Sequence, residues 1–372
     1  MKINKYIRYF NFLLFIMLLL LINCEPLVNK FEDVSDADMY RAKSMQTAPE
    51  SVNTLTFMTW NIRFGVGRSD WFGDTCGSSV IVAKNDVFDN LQRIADFIED
   101  TQPDIIFLQE IDVESKRTAY IDQVQWLLDN TYFNYGTYAS MWDAQYVPSD
   151  GLGPVNTGQA ILSRWEITES TRIQLPLRGD QDALTKHFYL RRNLLKTKIA
   201  IPGVDDFYAL DVHLSAFSTD DTKERQLQTV FDELEKLENV KFVFAGDLNL
   251  LPPGSDSLDY CDEDMCEGES FHQPGDDPQH KEGSYYVEEW DWLDHLYSNY
   301  DPAVPLSEYL ADQPSYFTHT TQWDGGWWDR KLDYLFTNMS WIPGTDSTYQ
   351  QAVFDYDLSD HVAVSIKWEV VQ

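Results

Sequence analysis

The tightest constraint in this chain is a repeated order of apolar strands, each running into a polar residue. Leu55-Thr56-Phe57-Met58-Thr59-Trp60 reads as a strand and ends at Asn61. A helical face of Val87, Leu91, Ile94, Ala95 and Ile98 follows, broken before Pro103, and then the strand Ile105-Ile106-Phe107-Leu108 ends at Gln109-Glu110. The order returns downstream. A strand from Phe207 to Val212 ends at His213, a helix carries Leu227, Val230, Phe231, Leu234 and Leu237, and Phe242-Val243-Phe244-Ala245 runs into Gly246-Asp247-Leu248-Asn249. Two strand–helix–strand halves confine the chain to layered α/β folds, because each strand face and each helix stripe needs apolar cover.

Ala160–Ser163, 166–175, 332–337 and 362–370 read as further strands. The last alternates Val362, Val364, Ile366, Trp368 and Val370 inward with Ser365, Lys367 and Glu369 outward. Two helix-covered sheets packed face to face bury all of these faces. Residues 53–372 then form one domain, in which the acidic, Gly/Pro-rich stretch at about 252–283 is an insertion.

Composition supports a full-sized core: 43% of the 372 residues are hydrophobic and 14% aromatic, which excludes disorder for most of the chain. The balance of 28 Lys+Arg against 61 Asp+Glu gives −33, so the averaged field repels nucleic acid and anionic lipid. A polyanionic substrate would need a metal ion or a local basic patch. Four cysteines are too few for a disulfide framework.

Lys2, Lys5 and Arg8 precede the apolar run Phe12–Ile22, which is too short to span a membrane and suits a signal peptide over residues 1–23. Leu21-Ile22-Asn23-Cys24 resembles a bacterial lipobox, with Asn23 where a small residue is usual. Acylation of Cys24, ordinary cleavage and an uncleaved anchor are the three alternatives. The expectation is an exported bacterial protein, either a cell-envelope lipoprotein or secreted. Residues 24–52 are polar, without helical or strand periodicity, and read as a tether.

Asn61, Glu110, His213 and the Asp247/Asn249 pair each have a dull explanation alone, as turn residues or satisfied polar groups. Their shared place at strand ends points to function, because a rigid sheet positions side chains while loops shape a cleft. Lys331-Leu332-Asp333-Tyr334 opens another strand with a carboxylate, and Ser359-Asp360-His361 stands before the last strand.

The ordered string Trp60-Asn61-Ile62-Arg63, Leu108-Gln109-Glu110, Asp211-Val212-His213-Leu214, Gly246-Asp247-Leu248-Asn249, Leu332-Asp333-Tyr334 and Ser359-Asp360-His361 resembles the endonuclease/exonuclease/phosphatase (deoxyribonuclease-I-like) superfamily, over about 53–371. The resemblance implies a four-layer α/β sandwich, two mixed β-sheets face to face with helices on both outer faces. It also implies a monomeric hydrolase that cleaves phosphoric esters by metal-assisted attack of water. Such chemistry needs a cation on the phosphoryl oxygens, an activated water and donors that strengthen toward the transition state. Hard oxygen ligands suit Mg²⁺, with Mn²⁺ as substitute. By resemblance, Glu110 is the metal ligand and Asp360 a second one. Asn61 helps bind the metal–phosphate unit, Asp247 positions or deprotonates the water, and Asn249 donates to a phosphoryl oxygen. His361, oriented by Asp333, is a donor or acid–base group, and His213 is a second imidazole. His213 resembles the deoxyribonuclease-I, neutral sphingomyelinase and inositol-phosphatase branches. The abasic-site branch tends to carry an acidic residue where this chain has Arg63.

Trp327 and Trp328, in Trp323-Asp324-Gly325-Gly326-Trp327-Trp328, read as a stacking or interfacial platform for substrate, or as packing. Arg191, Arg192 and Arg164 are weighed more as solvated charges than as phosphate ligands. Cys261 and Cys266 suit a local disulfide outside the cytoplasm, and the carboxylates around 256–269 read as a solvated face rather than a structural Ca²⁺ site.

The resulting expectation is an exported or lipid-anchored Mg²⁺-dependent phosphoesterase acting on a phosphodiester or phosphomonoester. A lipid headgroup or small phosphoester is favoured as substrate. A secreted DNase-like endonuclease is the alternative within the family. A non-catalytic surface-binding module on the same scaffold is disfavoured, because Glu110, His213, Asp247, Asn249, Asp333 and His361 are all present.

Overall fold

Alternation along the strands sorts side chains onto the faces of two sheets, and that sorting builds the layers. The computed structural model describes residues 27–71, 77–147, 152–216, 218–264, 284–320 and 328–370. Its strands in chain order are β1 (Val34–Asp36), β2 (Asp38–Arg41), β3 (Thr54–Asn61), β4 (Ile105–Asp112), β5 (Tyr135–Ala144), β6 (Val155–Ser163), β7 (Ile167–Gln174), β8 (Asn193–Ile199), β9 (Phe207–His213), β10 (Lys241–Asp247), β11 (Asp301–Pro302), β12 (Asp333–Thr337), β13 (Ser347–Thr348) and β14 (Val364–Glu369). One seven-stranded sheet has the order β1-β7-β8-β9-β10-β12-β11 and the other β13-β14-β3-β4-β6-β5-β2. Both are mixed: β3 runs parallel to β4 and β9 to β10, and their other neighbours are antiparallel.

Leu55 and Phe57 of β3 share one face and join Ile105, Phe107, Phe207, Ala209, Val243, Ala245 and Leu335 in the core between the sheets. The opposite parity faces outward. Met58, Trp60, Ile106 and Leu108 pack beneath the helices Lys84–Thr101 and Gln123–Asn130 through Ile94, Ile98 and Leu127. On the other sheet Leu210, Val212, Phe242 and Phe244 pack beneath the helix Thr222–Glu235 through Leu227, Val230 and Leu234. The fold is thus the expected four-layer α/β sandwich, and the two strand–helix–strand halves are its two parallel crossovers.

The N-terminal stretch differs from the expectation of a free tether over 24–52. Val34 pairs with Ile173 in the first sheet and Asp38 with Tyr138 in the second, so β1 and β2 cover one edge of each sheet. The segment docks through backbone hydrogen bonds, which need no apolar alternation, and hydropathy therefore leaves it unmarked. The insertion at 252–283 is likewise anchored at its start: the buried Arg330 guanidinium donates to both oxygens of Asp264, at 2.8 and 2.7 Å. That carboxylate is a paired group rather than part of a solvated face. Residues 1–26 with Cys24, and also Cys76, Cys266 and Trp327, lie outside the described residues.

Gly246 of β10 stands opposite Val212 of β9. Its φ is +143°, and a Cβ there would lie 1.9 Å from the Val212 carbonyl oxygen. Gly246→Ala is expected to lower the unfolding free energy by roughly 2–4 kcal/mol, since neither backbone can give way without breaking the parallel ladder. Urea denaturation of the variant beside wild type measures it.

Candidate functional site

The inward parity that is apolar through the interlayer core turns polar at one end of the sandwich. On β3 it runs Leu55, Phe57, Thr59, Asn61; on β9 Phe207, Ala209, Asp211, His213; on β10 Val243, Ala245, Asp247. Parallel pairing sets Asp247 opposite His213, and antiparallel pairing sets it opposite Asp333. One register line therefore carries an imidazole and two carboxylates. In the facing sheet, β4 slips register against β6 between Gln109 and Ile111, and Glu110 sits in the bulge with φ +52°. The bulge re-aims its side chain, so that Glu110 Oε1 lies 3.9 Å from His213 Nε2.

Asp247 is the centre of this cluster. Its Oδ2 accepts from Asn61 Nδ2 at 3.1 Å and lies 3.3 Å from His213 Nε2 and 3.6 Å from His361 Nε2. Its Oδ1 accepts from the Asn249 backbone N–H at 3.0 Å. His361 Nδ1 is 2.9 Å from Asp333 Oδ2, a pairing that fixes the ring and turns Nε2 toward Asp247. Asn249, with φ +49°, donates one side-chain N–H to the Leu214 carbonyl at 3.1 Å.

Backbone anchors hold these groups. The Ser359 hydroxyl donates to the Asn61 carbonyl at 2.8 Å and accepts the His361 N–H at 3.1 Å, and the Trp60 indole donates to the His361 carbonyl at 3.0 Å. Thr318 Oγ1 accepts the N–H groups of Leu332 and Asp333 at 2.9 and 3.1 Å. Lys223, buried and ion-paired to Glu289, donates to the Asn249 carbonyl at 3.0 Å.

Burial pushes the Asp247 carboxyl up to about 6, with Asp333 adding to the rise and His361, the Asn249 N–H and the Asn61 amide opposing it. Burial disfavours a charged His361, but the Asp333 and Asp247 carboxylates outweigh it and hold the imidazolium well above the usual histidine range. His213 moves the other way: burial, then the Arg192 and His361 charges, push it well below that range. The site thus holds one charged and one neutral imidazole around a single carboxylate.

Of the residues expected from sequence, Asn61, Glu110, His213, Asp247, Asn249, Asp333 and His361 come together. Asp360 stands at the edge of the group. Its Oδ2 faces Arg63 Nε at 3.5 Å and its Oδ1 accepts the Ser359 hydroxyl at 3.2 Å, so its contacts are those of an ion-pair partner. Trp328 is half-buried and packs against the cluster that holds Trp60 and Leu358. Arg164 pairs with Asp104 at the far end of the strands. Arg191 and Arg192 are each only 6% exposed, so they are not solvated charges.

Three further residues lie near the site: Arg63, quoted in a motif without a role, Arg192, weighed as a solvated charge, and His319, which the sequence did not single out. Burial lowers the proton affinity of the Arg192 guanidinium, and the charges of Tyr189, Glu110 and Asp247 only partly oppose it. Arg63 is fully buried and donates to the Gly67 and Ser69 carbonyls at 2.6 and 3.0 Å. The His319 ring lies 4.5 Å from that of His361.

Asp247, Asp333 and His361 each place one ligand atom within 4.8 Å of the others. The two crowded carboxylates of this trio, one raised to about 6, suit a hard divalent cation, because positive charge relieves them; His361 could ligate one only as the neutral ring. Glu110 adds a further carboxylate beside His213.

The chain matches the model of the Endonuclease/Exonuclease/phosphatase family over residues 58–361. Among solved structures it is similar to an endonuclease/exonuclease/phosphatase from Beutenbergia cavernae, with 20% identity and a TM-score of 0.55 over 86% of this chain and 72% of the other. A family protein from Leptotrichia buccalis is 14% identical with a TM-score of 0.51, over 84% of this chain and 98% of the other. No curated protein is similar enough in sequence to count as a relative.

Proposed function

Since the chain belongs to the endonuclease/exonuclease/phosphatase family, whose members are metal-dependent hydrolases of phosphoesters, we propose that it is an exported, lipid-anchored or secreted Mg²⁺-dependent phosphoesterase. Its expected substrate is a lipid headgroup or small phosphoester. The observation that carries this reading is the register line His213–Asp247–Asp333, closed by His361 bonded to Asp333.

A bound divalent cation would offset charge on the phosphoryl oxygens and the leaving group. Glu110 would hold it, and Asn61, whose Nδ2 donates to Asp247 and whose Oδ1 accepts the Arg63 N–H, would hold Asp247 in place. Asp247, pushed up to about 6, has the proton affinity to orient a water and take its proton near neutral pH. His361, charged and fixed by Asp333, places an N–H beside the phosphoryl oxygens, and the free N–H of Asn249 adds a second donor. His213, held neutral, can give or take a hydrogen bond without adding charge. Asp360 acts through Arg63 and Ser359 in this scheme, with Glu110 as the principal metal ligand.

A metal-dependent panel of sphingomyelin, phosphoinositides, sugar phosphates and plasmid DNA tests the reading. Hydrolysis with Mg²⁺ or Mn²⁺, lost in EDTA and in Asn249→Ala but kept in Lys367→Ala, is the expected result. Full activity in Asn249→Ala would overturn the assignment, and a preference for plasmid DNA would favour the endonuclease alternative.

A further inference from the structure

The Asp333–His361 pair spans the two sheets, and one short segment ties its halves together. Asp333 opens β12 in one sheet, and His361 stands just before β14 in the other. Between them runs Thr318–Thr320. The Thr318 and His319 N–H groups both donate to the Arg330 carbonyl, at 2.8 and 3.0 Å, and the Asp329 N–H donates back to the His319 carbonyl at 3.0 Å. On the other side the Val362 N–H donates to the Thr318 carbonyl at 2.7 Å, and the Thr320 N–H to the Asp360 carbonyl at 3.2 Å. The His319 ring, tilted by 40° against that of His361, lies over it. The segment is a splint across the pair.

The base of the acidic insertion grips this splint at Arg330. The Tyr260 N–H donates to the Ser284 carbonyl at 2.8 Å and the Tyr286 N–H to the Leu258 carbonyl at 2.7 Å, which pairs Leu258–Tyr260 with Ser284–Tyr286. Tyr260 and Tyr286 pack with Leu251 against Leu332, the neighbour of Asp333. The buried Arg330 guanidinium stands 4.0 Å over the Tyr260 ring. Two carboxylates hold it: Asp264 at 2.7 and 2.8 Å, and Asp329 at 2.7 and 3.1 Å. The Ser284 hydroxyl donates to Asp264 at 2.6 Å.

One carboxylate is enough to neutralise Arg330, and Asp329 beside it in the chain supplies that charge. Asp264 brings a second negative charge to a buried place, at a cost in desolvation. Burial raises the Asp329 carboxyl above its ordinary value, Arg330 opposes the rise, and Asp264 adds to it. What Asp264 supplies instead is direction: with it, both forks of the guanidinium are occupied and its plane cannot turn. We propose that Asp264 is a positioning residue for the Asp333–His361 pair, acting through Arg330 and the Thr318–Thr320 splint. The base of the acidic insertion thereby takes a part in the reaction. The kinetic half of this inference rests on the phosphoesterase reading; the geometric half does not.

Asp264→Ala leaves Arg330 paired with Asp329 and is expected to fold. On bis(p-nitrophenyl) phosphate with Mg²⁺ its kcat should fall about tenfold with KM unchanged within about twofold, the mark of a misplaced group rather than a lost substrate contact. Asp264→Asn, which keeps one acceptor oxygen, should fall only about threefold. Asp262→Ala, exposed on the same stem, should change neither constant. A lowered Tm with unchanged kcat would make the clamp structural only and overturn the proposal. In protein carrying isotope-labelled histidine, the His361 Nδ1 proton, identified by its loss in Asp333→Asn, should exchange with solvent about tenfold faster in Asp264→Ala. Unchanged exchange would also overturn it. Should Asp264→Ala fail to fold, Asp264→Asn decides by the same two readouts. A wild type inactive on this ester and on the panel above would refute the phosphoesterase reading, while proton exchange still decides the positioning.

Discussion

Asp247→Asn is expected to fold and to lose about 10³–10⁴-fold in turnover, the range for removal of a positioned general base. Asp247 Oδ2 is where three functional side chains converge, since Asn61, His213 and His361 all face it. Turnover of the wild type should rise with pH through about 6, as the Asp247 carboxyl ionises. Stability has the opposite sign. A carboxyl raised to about 6 holds its proton more tightly in the folded protein than in the unfolded chain, where its value is near 4. Its contribution to stability is thus full below about pH 4 and lost as the pH rises through 6. Asparagine removes that cost, so the unfolding midpoint of Asp247→Asn at pH 8 is expected at or above that of wild type. An inactive variant of undiminished Tm separates a catalytic carboxylate from a structural one; near-normal turnover would remove Asp247 from the mechanism.

Asp333→Asn is expected to cost about 10²–10⁴-fold in turnover, because the carboxylate that fixes the His361 ring is gone. Its readout is also spectroscopic. The Asp333 carboxylate is the leading charge that holds the His361 imidazolium well above the usual range. Without it, NMR titration of the His361 ring should show a lower pKa, and the alkaline limb of the rate profile should move to lower pH. Activity that needs a charged His361 is present below its pKa and lost as the pH rises through it, so the two shifts must agree in direction. An unmoved His361 titration would show that Asp333 does not orient it.

Much of the site was legible in one dimension. Asn61, His213 and Asp247 end apolar strands, Asp333 opens one, and a strand end in a layered fold is a place where a polar side chain meets a cleft. The helices and central strands were legible for the same reason, since burial on one stripe or two faces writes a period into the sequence. The edge strands β1 and β2 were not, because backbone pairing at a sheet edge asks for no pattern. Arg192 was misjudged because charge beside acidic sequence reads as solvation, whereas its guanidinium is buried against Met141 of β5, a neighbour far away in sequence.

By itself the sequence determined the layered fold, the family and the roster of polar residues at the strand ends. These follow from local periodicity and short motifs, which the chain carries within a few residues. Only the tertiary structure decided which imidazole is charged and which is neutral. That difference arises from partners far apart in sequence: His361 meets Asp333 and Asp247, whereas His213 meets the Arg192 charge and burial. It also decided that Leu27 and Val28 dock beside Ala144, which is a matter of sheet edges meeting in space.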